Sequence, residues 1–386
     1  MSVTPSTITH VEITPVRTSS DRAAFVELPY RLHRDLPLWV PPLRSEQHAL
    51  LDEGANPFFA RAEAQLFLAR SRGSVVGRIA AHVDPRFEEH HGCSEGFFGF
   101  FDTVDDVAVA RALVDAAAGW VARQGRPTMI GPVSFTTNDE CGVLVEGFDR
   151  RPAVMMPYHP AYYAQLLERT GFAKAMDLLA WEFETTLHED PRLVRAADRL
   201  ARGRSLSVRP VDLRRFAEET ELIRTLYNAA LGGNWGFCPF ERRDFDVLAR
   251  RLKPFLRPGL VLIGEVDGRP AGFAVALPDL APALAAARGR LFTYGLPVGL
   301  ARFLLAGRRL DRARLIALGV SGEHRGRGLE LLLYLALSRA ARDQRLTTAE
   351  ASWVLEDNHQ VNAATARVGG RVVKRYRLYR RSSTTH

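Results

Sequence analysis

The sequence resembles itself at one nearly constant spacing, and this repeat limits the possible folds more than any other feature. Val11-Glu12-Ile13-Thr14-Pro15-Val16 is echoed by Leu206-Ser207-Val208-Arg209-Pro210-Val211, with the two prolines 195 residues apart. Leu66-Phe67-Leu68-Ala69, a turn at Gly73 and a strand through Gly77 read as a β-hairpin. Leu260-Val261-Leu262-Ile263, a turn at Gly268 and a strand through Gly272 read the same way, and both glycine pairs are again 195 apart. Further on, helix-then-strand patterns turn at Gly171-Phe172 and at Gly369-Gly370, at an offset of 198. Self-similarity over that length implies two copies of one unit, and 386 residues suit two domains.

Each copy reads as a strand, one or two helices, a hairpin, and then strand, helix, strand, helix, strand. Such an order gives an α/β fold, a mixed and mostly antiparallel sheet flanked by helices. The expected organisation is a first domain over residues 1–190, a charged helical linker over 191–205, and a second domain over 206–386. The copies differ in a compensating way. The second has an insertion of about twenty residues near 280–307, and the first has a long loop near 134–159.

The chemistry concentrates in copy two. Leu315-Ile316-Ala317-Leu318-Gly319-Val320 is apolar on both faces, as a central strand should be. It runs through Ser321-Gly322-Glu323-His324 into Arg325-Gly326-Arg327-Gly328 and the apolar helix that starts Leu329-Glu330-Leu331. A strand, a glycine-rich turn and a buried helix leave N–H groups exposed at a helix N-terminus, which is an anion site. Two arginines add charge where phosphates would sit.

This turn resembles the signature Arg/Gln-x-x-Gly-x-Gly/Ala of the GNAT (Gcn5-related N-acetyltransferase) superfamily. Arg325 to Leu329 fit, and Glu330 replaces the final small residue. Glu356-Asp357-Asn358, with Gly369 eleven residues beyond Asn358, resembles the family's Asn-x-x-Ala-(x)3-Tyr-(x)3-Gly helix. There Val361 stands at the alanine position and Thr365 at the tyrosine position.

The resemblance implies tandem GNAT-like domains, with acetyl-CoA or another acyl-CoA bound by Leu318, Val320, Arg325, Gly326, Arg327, Gly328, Leu329 and Asn358. The family's tyrosine protonates the departing thiolate; here either Tyr334, Tyr376 or Tyr379 replaces it, or the thiolate leaves without help. Glu350, on the strand after the helix, is the expected general base. The loop Gly233-Asn234-Trp235-Gly236-Phe237-Cys238 lies where the family admits its acceptor, which makes Asn234, Trp235 and Glu241 acceptor-site candidates.

In copy one the matching turn is Asp102-Thr103-Val104-Asp105-Asp106-Val107, without glycine or arginine. Its carboxylates suit helix capping and repel a pyrophosphate. Copy one therefore resembles a degenerate GNAT-like domain. Its loop Ser134-Phe135-Thr136-Thr137-Asn138-Asp139-Glu140-Cys141-Gly142 is long and polar, and Asn138 is a substrate-binding candidate there.

Composition narrows the partners. The net charge of +8 comes from arginine, with acidic residues interspersed, so an ordinary solvated surface is expected rather than a nucleic-acid one. The C-terminal run from Lys374 to Arg381 is the one concentrated basic stretch. Three cysteines at wide spacing suit a reducing cytosol and offer no metal or redox pair, so no metal is expected. The N-terminus lacks a cationic start before an apolar core, which argues against a secretory leader and for a cytoplasmic protein. Residues 291–307 are apolar but short, with Pro297 and Arg302 inside. A buried or lid-like helical insertion is expected there, and no membrane partner.

The function that follows is an acyl-CoA-dependent N-acyltransferase acting on a small-molecule or protein amine, with acetyl-CoA as the expected donor. Two alternatives stay open: a non-catalytic acyl-CoA sensor, and a Fem-like transferase that uses aminoacyl-tRNA.

Overall fold

A computed structural model describes residues 10–382. The first nine residues, which open the stretch read above for a leader, lie outside the described residues. The first half of the chain runs β1 (Glu12–Pro15), α1 (Ser19–Leu32), α2 (Arg44–Leu50), β2 (Glu63–Ser71), β3 (Ser74–Val83), α3 (Pro85–His91), β4 (Glu95–Thr103) and α4 (Val107–Arg123). It continues with β5 (Thr128–Gly131), β6 (Val143–Glu146), α5 (Tyr162–Arg169) and β7 (Ala173–Glu184). The second half runs α6 (Pro191–Arg204), β8 (Leu206–Pro210), α7 (Phe216–Leu231), α8 (Arg242–Leu252), β9 (Val261–Val266), β10 (Arg269–Pro278), α9 (Ala281–Ala287) and α10 (Val298–Gly307). It ends with β11 (Arg312–Val320), α11 (Leu329–Asp343), β12 (Thr348–Leu355), α12 (His359–Arg367) and β13 (Arg371–Ser382).

The repeat is structural. In one copy β1, β2, β3 and β4 are antiparallel neighbours and β4 lies parallel to β5. In the other β8, β9, β10 and β11 are antiparallel and β11 lies parallel to β12. The two hairpin turns match residue for residue. Arg72 and Gly73 have φ of 48° and 76°, and Asp267 and Gly268 have φ of 51° and 73°. Two-residue hairpin loops need φ > 0 at both central positions, which is why each carries a glycine.

Two compact units result, and the chain trades segments between them. Unit 1 is the chain up to Leu178 together with Ala281–Ala306 and everything from Lys374 on. Unit 2 is Leu179–Leu280 with Gly307–Val373. The end of β13 therefore completes unit 1, pairing Tyr379 with Gly131 and Arg381 with Met129. The end of β7 completes unit 2 beside β12. The insertion after β10 also belongs to unit 1, where the Arg44 amide donates to the Gly289 carbonyl at 3.0 Å.

Both units bury an alternating strand pattern under helices on two faces. In unit 1, Phe67, Ala69, Ile79 and Ala81 meet α4 through Leu113, Ala117 and Val121. Leu68 and Ala80 face α1 through Phe25 and Leu28. In unit 2, Leu262, Ala274 and Leu315 meet Leu329, Leu333 and Leu337 of α11. Val261, Ile263 and Phe273 face Ile223, Leu226 and Ala230 of α7. Among the described residues no helix is long and apolar enough to cross a membrane. The segment read as a buried or lid-like insertion forms α9 and α10, and much of the stretch around α10 is exposed, with Leu304 and Leu305 each about 60 % accessible (58 % and 61 %).

Candidate acyl-CoA site in the second unit

Two strands of unit 2 part company, and the site is built where they do. The ladder between β11 and β12 runs from Arg312↔Thr348 to Leu315↔Ala351 and stops. β11 continues to Val320, still paired on its other edge with β10 through Gly272. A strand edge over Ile316 to Val320 is thereby left facing the opening, with backbone groups that a ligand can pair with.

The turn beyond β11 stays close to its sequence reading. A short 3-10 turn over Gly322–His324 leads through Arg325 into α11, and Gly326 and Gly328 take φ of 70° and 96°. A β-carbon at position 328 would come within 2.5 Å of Leu200 of α6, so both backbone angle and space demand glycine. The Leu331 and Leu332 amides donate to the Gly328 carbonyl at 3.1 and 3.4 Å, and the amides that precede them in the first turn point toward the helix start. One turn amide already has an anion: the Gly326 N–H donates to Glu330 Oε1 at 3.4 Å. The carboxylate at the signature's altered position thus lies at the edge of the glycine turn.

A cavity of about 420 Å³ opens from this turn, inside the range of ~300–1,000 Å³ typical of ligand clefts. Of the residues expected to bind cofactor, Leu318, Val320, Arg325, Gly326, Gly328 and Asn358 line it, and so do Tyr334 and Asn234. Tyr334 is pushed up to about 12 by burial and by the Glu330 carboxylate, so its hydroxyl keeps its proton at neutral pH. Thr365 lines the cavity as well, and its hydroxyl donates to the Val361 carbonyl of its own helix at 2.9 Å. Asn358 caps α12, accepting from the Val361 amide at 3.2 Å.

Other candidates lie elsewhere or act differently. The Arg325 guanidinium donates to the carbonyls of Ala230 and, at 3.3 Å, of Val320, bracing α7 and the end of β11 against the turn. Arg327 reaches His324 Nδ1 at 3.2 Å. Leu329 is fully buried in the core beneath the turn. Glu350, the expected base, is fully buried and ion-paired with Arg312 in the sheet, away from the cavity wall. The reason is register: Glu350 sits opposite Arg314 in the paired part of β11 and β12, before the strands separate. Tyr376 belongs to unit 1, packed within 3.0 Å of where a β-carbon on Gly142 would sit. Trp235 and Glu241 do not line the cavity, and Asn138 lies in unit 1.

Sequence reasoning missed the wall made by the segment it read as a linker. Leu193 of α6 lines the cavity, Ala197 is buried and Leu200 packs on Gly328. The spacing Leu193, Ala197, Leu200 is an i, i+4, i+7 apolar stripe. Phe183 and Leu187 before α6, with Leu331 and Leu335 of α11 and Val361 and Val368 around α12, make the rest of the wall apolar.

Unit 1 treats the equivalent place differently. Its β4–β5 ladder ends at Phe97↔Ile130, and the gap beyond is filled by the chain itself: the Val133 amide donates to the Phe98 carbonyl at 2.7 Å. A β-carbon on Gly99 would lie 2.0 Å from the Val133 carbonyl oxygen. Of the three carboxylates in its turn, Asp106 caps α4, but Asp102 is buried in an ion pair with Arg78 at 2.7 Å. His33 Nε2 and the Tyr163 hydroxyl approach the same carboxylate at 2.8 and 3.1 Å. Burial pushes the Asp102 carboxyl up, but Arg78 and His33 outweigh it and hold it well below the usual carboxylate range. A cavity of about 80 Å³ beside this cluster is lined by His33, Ser134, Glu140, Cys141 and His159. Burial lowers His159 to about 4, which keeps it neutral.

Comparison with known proteins matches this geometry. A scan of family profiles finds no match. Among curated proteins the chain is 36% identical over 365 residues to protein YghO of Escherichia coli, covering 93% of this chain and 92% of that one. It is 35% identical over 384 residues to the bacterial ceramide synthase of Caulobacter vibrioides, covering 98% and 99%. A tandem GNAT protein from the clavulanic acid biosynthesis pathway superposes with a TM-score of 0.57 at 16% identity, over 98% of this chain and 100% of that one. A GCN5-related N-acetyltransferase from Sphaerobacter thermophilus gives 0.50 at 12% identity, over 98% and 97%. At such identities the structural likeness is one of fold.

Proposed function

Since the chain belongs to the family of protein YghO and the bacterial ceramide synthase, and is built as tandem GNAT units, we propose that unit 2 transfers a fatty acyl group from acyl-CoA to the amine of a long-chain amino alcohol. One observation carries this reading: the glycine turn opens directly into a cavity of about 420 Å³ with largely apolar walls. The turn suits the anionic end of a CoA thioester. The walls from Phe183, Leu187, Leu193, Leu331 and Leu335 suit a hydrocarbon chain better than an acetyl group. A ceramide is a fatty amide of a long-chain amino alcohol, so the named activity of one relative fits the same cavity.

In the reaction the neutral amine nitrogen attacks the thioester carbon, a C–N bond forms, the C–S bond breaks and the thiolate departs. The attacked amine gives its proton to water, the thiolate takes the proton of Tyr334, and the tyrosinate is reprotonated from water. The edge of β11 from Ile316 to Val320 supplies backbone groups to align the donor. Tyr334, protonated on the cavity wall, is the available proton donor in place of the family tyrosine.

The test is turnover. The protein is incubated with acyl-CoA of two to sixteen carbons (chain lengths of about that range span acetyl to palmitoyl) and a sphingoid amine, with free thiol and amide product measured. Thiol release rising with chain length supports the reading, and no release with any pair overturns it. Saturable CoA-thioester binding without turnover would instead favour a sensor, the reading that Glu330 on the Gly326 amide keeps open.

A further inference from the structure

The segment between β10 and β11 presents apolar side chains to solvent to a degree found nowhere else among the described residues. Eight large hydrophobic residues are exposed there and elsewhere, and six of the eight fall within residues 292–305: Phe292, Tyr294, Leu296, Val298, Leu304 and Leu305. A small bridge between Thr293 and Leu296 holds Tyr294 at the tip of a tight turn, fully exposed. α10 follows, with Leu304 and Leu305 outward. Exposed apolar side chains concentrated in one short segment mark a docking site rather than ordinary surface scatter.

Charge decides what docks. From Leu280 to Leu310 every charged side chain is an arginine (Arg288, Arg290, Arg302, Arg308 and Arg309), and the segment has no carboxylate of its own, Glu27 lying 3.8 Å from Arg290. Arg302 is exposed on α10 itself, and Arg308 and Arg309 follow it directly. A second copy of the same patch would bring arginines against arginines. An anionic lipid surface supplies the opposite charge, receives the apolar side chains into its interface, and seats tyrosine at the headgroup level. The helix is too short to span a bilayer, so it would lie in the interface plane.

We infer that residues 290–309 form an interfacial anchor that seats the protein on an anionic phospholipid bilayer. The anchor reverses the expectation of no membrane partner, and it does not rest on the acyltransfer reading. A lipid-amine acceptor would, however, be reached from such a surface.

The test is co-sedimentation of the full chain with vesicles of phosphatidylcholine alone and of phosphatidylcholine with an equal part of phosphatidylglycerol. Wild type is expected to partition to the mixed vesicles at least about tenfold better, with the difference shrinking at high salt. A Phe292→Ser, Leu296→Ser, Leu304→Ser, Leu305→Ser variant changes only solvent-facing positions and is expected to lose most vesicle binding while keeping its thermal melt. An Arg302→Ser, Arg308→Ser, Arg309→Ser variant is expected to lose the preference for anionic lipid. Equal, weak sedimentation of wild type with both vesicles overturns the proposal. So does unchanged binding by the serine variant, or a dimer in sedimentation equilibrium that the serine variant dissolves in the absence of any vesicle binding. CoA-thioester affinity of the serine variant, measured without lipid, reads the acyl-CoA site separately.

Discussion

The two units share strand order, hairpin turns and helix layers, and they differ at the place where their parallel strands diverge. In unit 2 the gap after Leu315 stays open and leads to a cavity of about 420 Å³. In unit 1 the gap after Phe97 is closed by its own Val133, and the turn beyond it holds a buried ion pair instead of exposed amides. One fold thus takes two forms at the same corner: an open cleft beside a glycine turn, and a charge cluster locked into the core. The difference teaches that the two copies diverge at the turn and the gap while the sheet they share stays the same, and on the proposed reading that divergence is where function was gained or lost.

The largest effect is expected where unit 1 is locked. Arg78 donates to Asp102 and to the Phe25 carbonyl, and both charged side chains are less than 10 % exposed. Arg78→Met takes the guanidinium from the Phe25 carbonyl and from Asp102, which keeps only His33 and Tyr163, and removing one partner of a buried pair costs about 3–5 kcal/mol. Chemical denaturation of the variant should show a fall of that size. A loss below about 1 kcal/mol would mean that the pair contributes little and that the closed corner of unit 1 is held by packing alone.

The second effect tests whether unit 2 can be given the character of unit 1. Gly326 has φ of 70° and open space where a β-carbon would go. Aspartate tolerates that backbone region, so Gly326→Asp should fold. Its carboxylate would sit beside the turn amides that the proposed reading gives to the pyrophosphate, so the turn would carry an acidic residue as the Asp102–Val107 turn does. CoA-thioester affinity by calorimetry should fall about 100-fold, or about 2.7 kcal/mol. An affinity within about threefold of wild type would place the pyrophosphate somewhere other than this turn.

Much of this contrast was legible in the sequence. Gly73 and Gly268 announced matching hairpins because their turns demand positive φ, and Gly326 and Gly328 announced a turn of the same demand before α11. What the sequence hid depends on tertiary register. Glu350 looked like an accessible strand carboxylate, but it falls in the paired stretch opposite Arg314, ahead of the divergence. Tyr376 looked like a residue of copy two, but the end of β13 completes the sheet of unit 1. No local pattern encodes which sheet a terminal strand joins. Leu193 and Leu200 carried a readable helical stripe, yet a charged segment between two domains reads first as a linker.

The smallest effect is the most informative about how the cradle is tuned. Glu330 stands where the signature has a small residue, and it accepts from the Gly326 amide at 3.4 Å. A pyrophosphate arriving at the turn must compete for that amide and meets a like charge beside it. Glu330→Gln keeps the size and the hydrogen bond and removes the charge. It gives up a favourable carboxylate at a helix N-terminus, a loss of only ~0.3–1 kcal/mol in stability. CoA-thioester affinity should therefore rise about fivefold while the melting point falls slightly. Because Glu330 also helps hold the Tyr334 proton, the alkaline limb of any pH–rate profile should move to lower pH in the same variant. If affinity falls instead, the carboxylate is part of the turn's architecture, and the repulsion that distinguishes unit 1 from unit 2 does not operate at position 330.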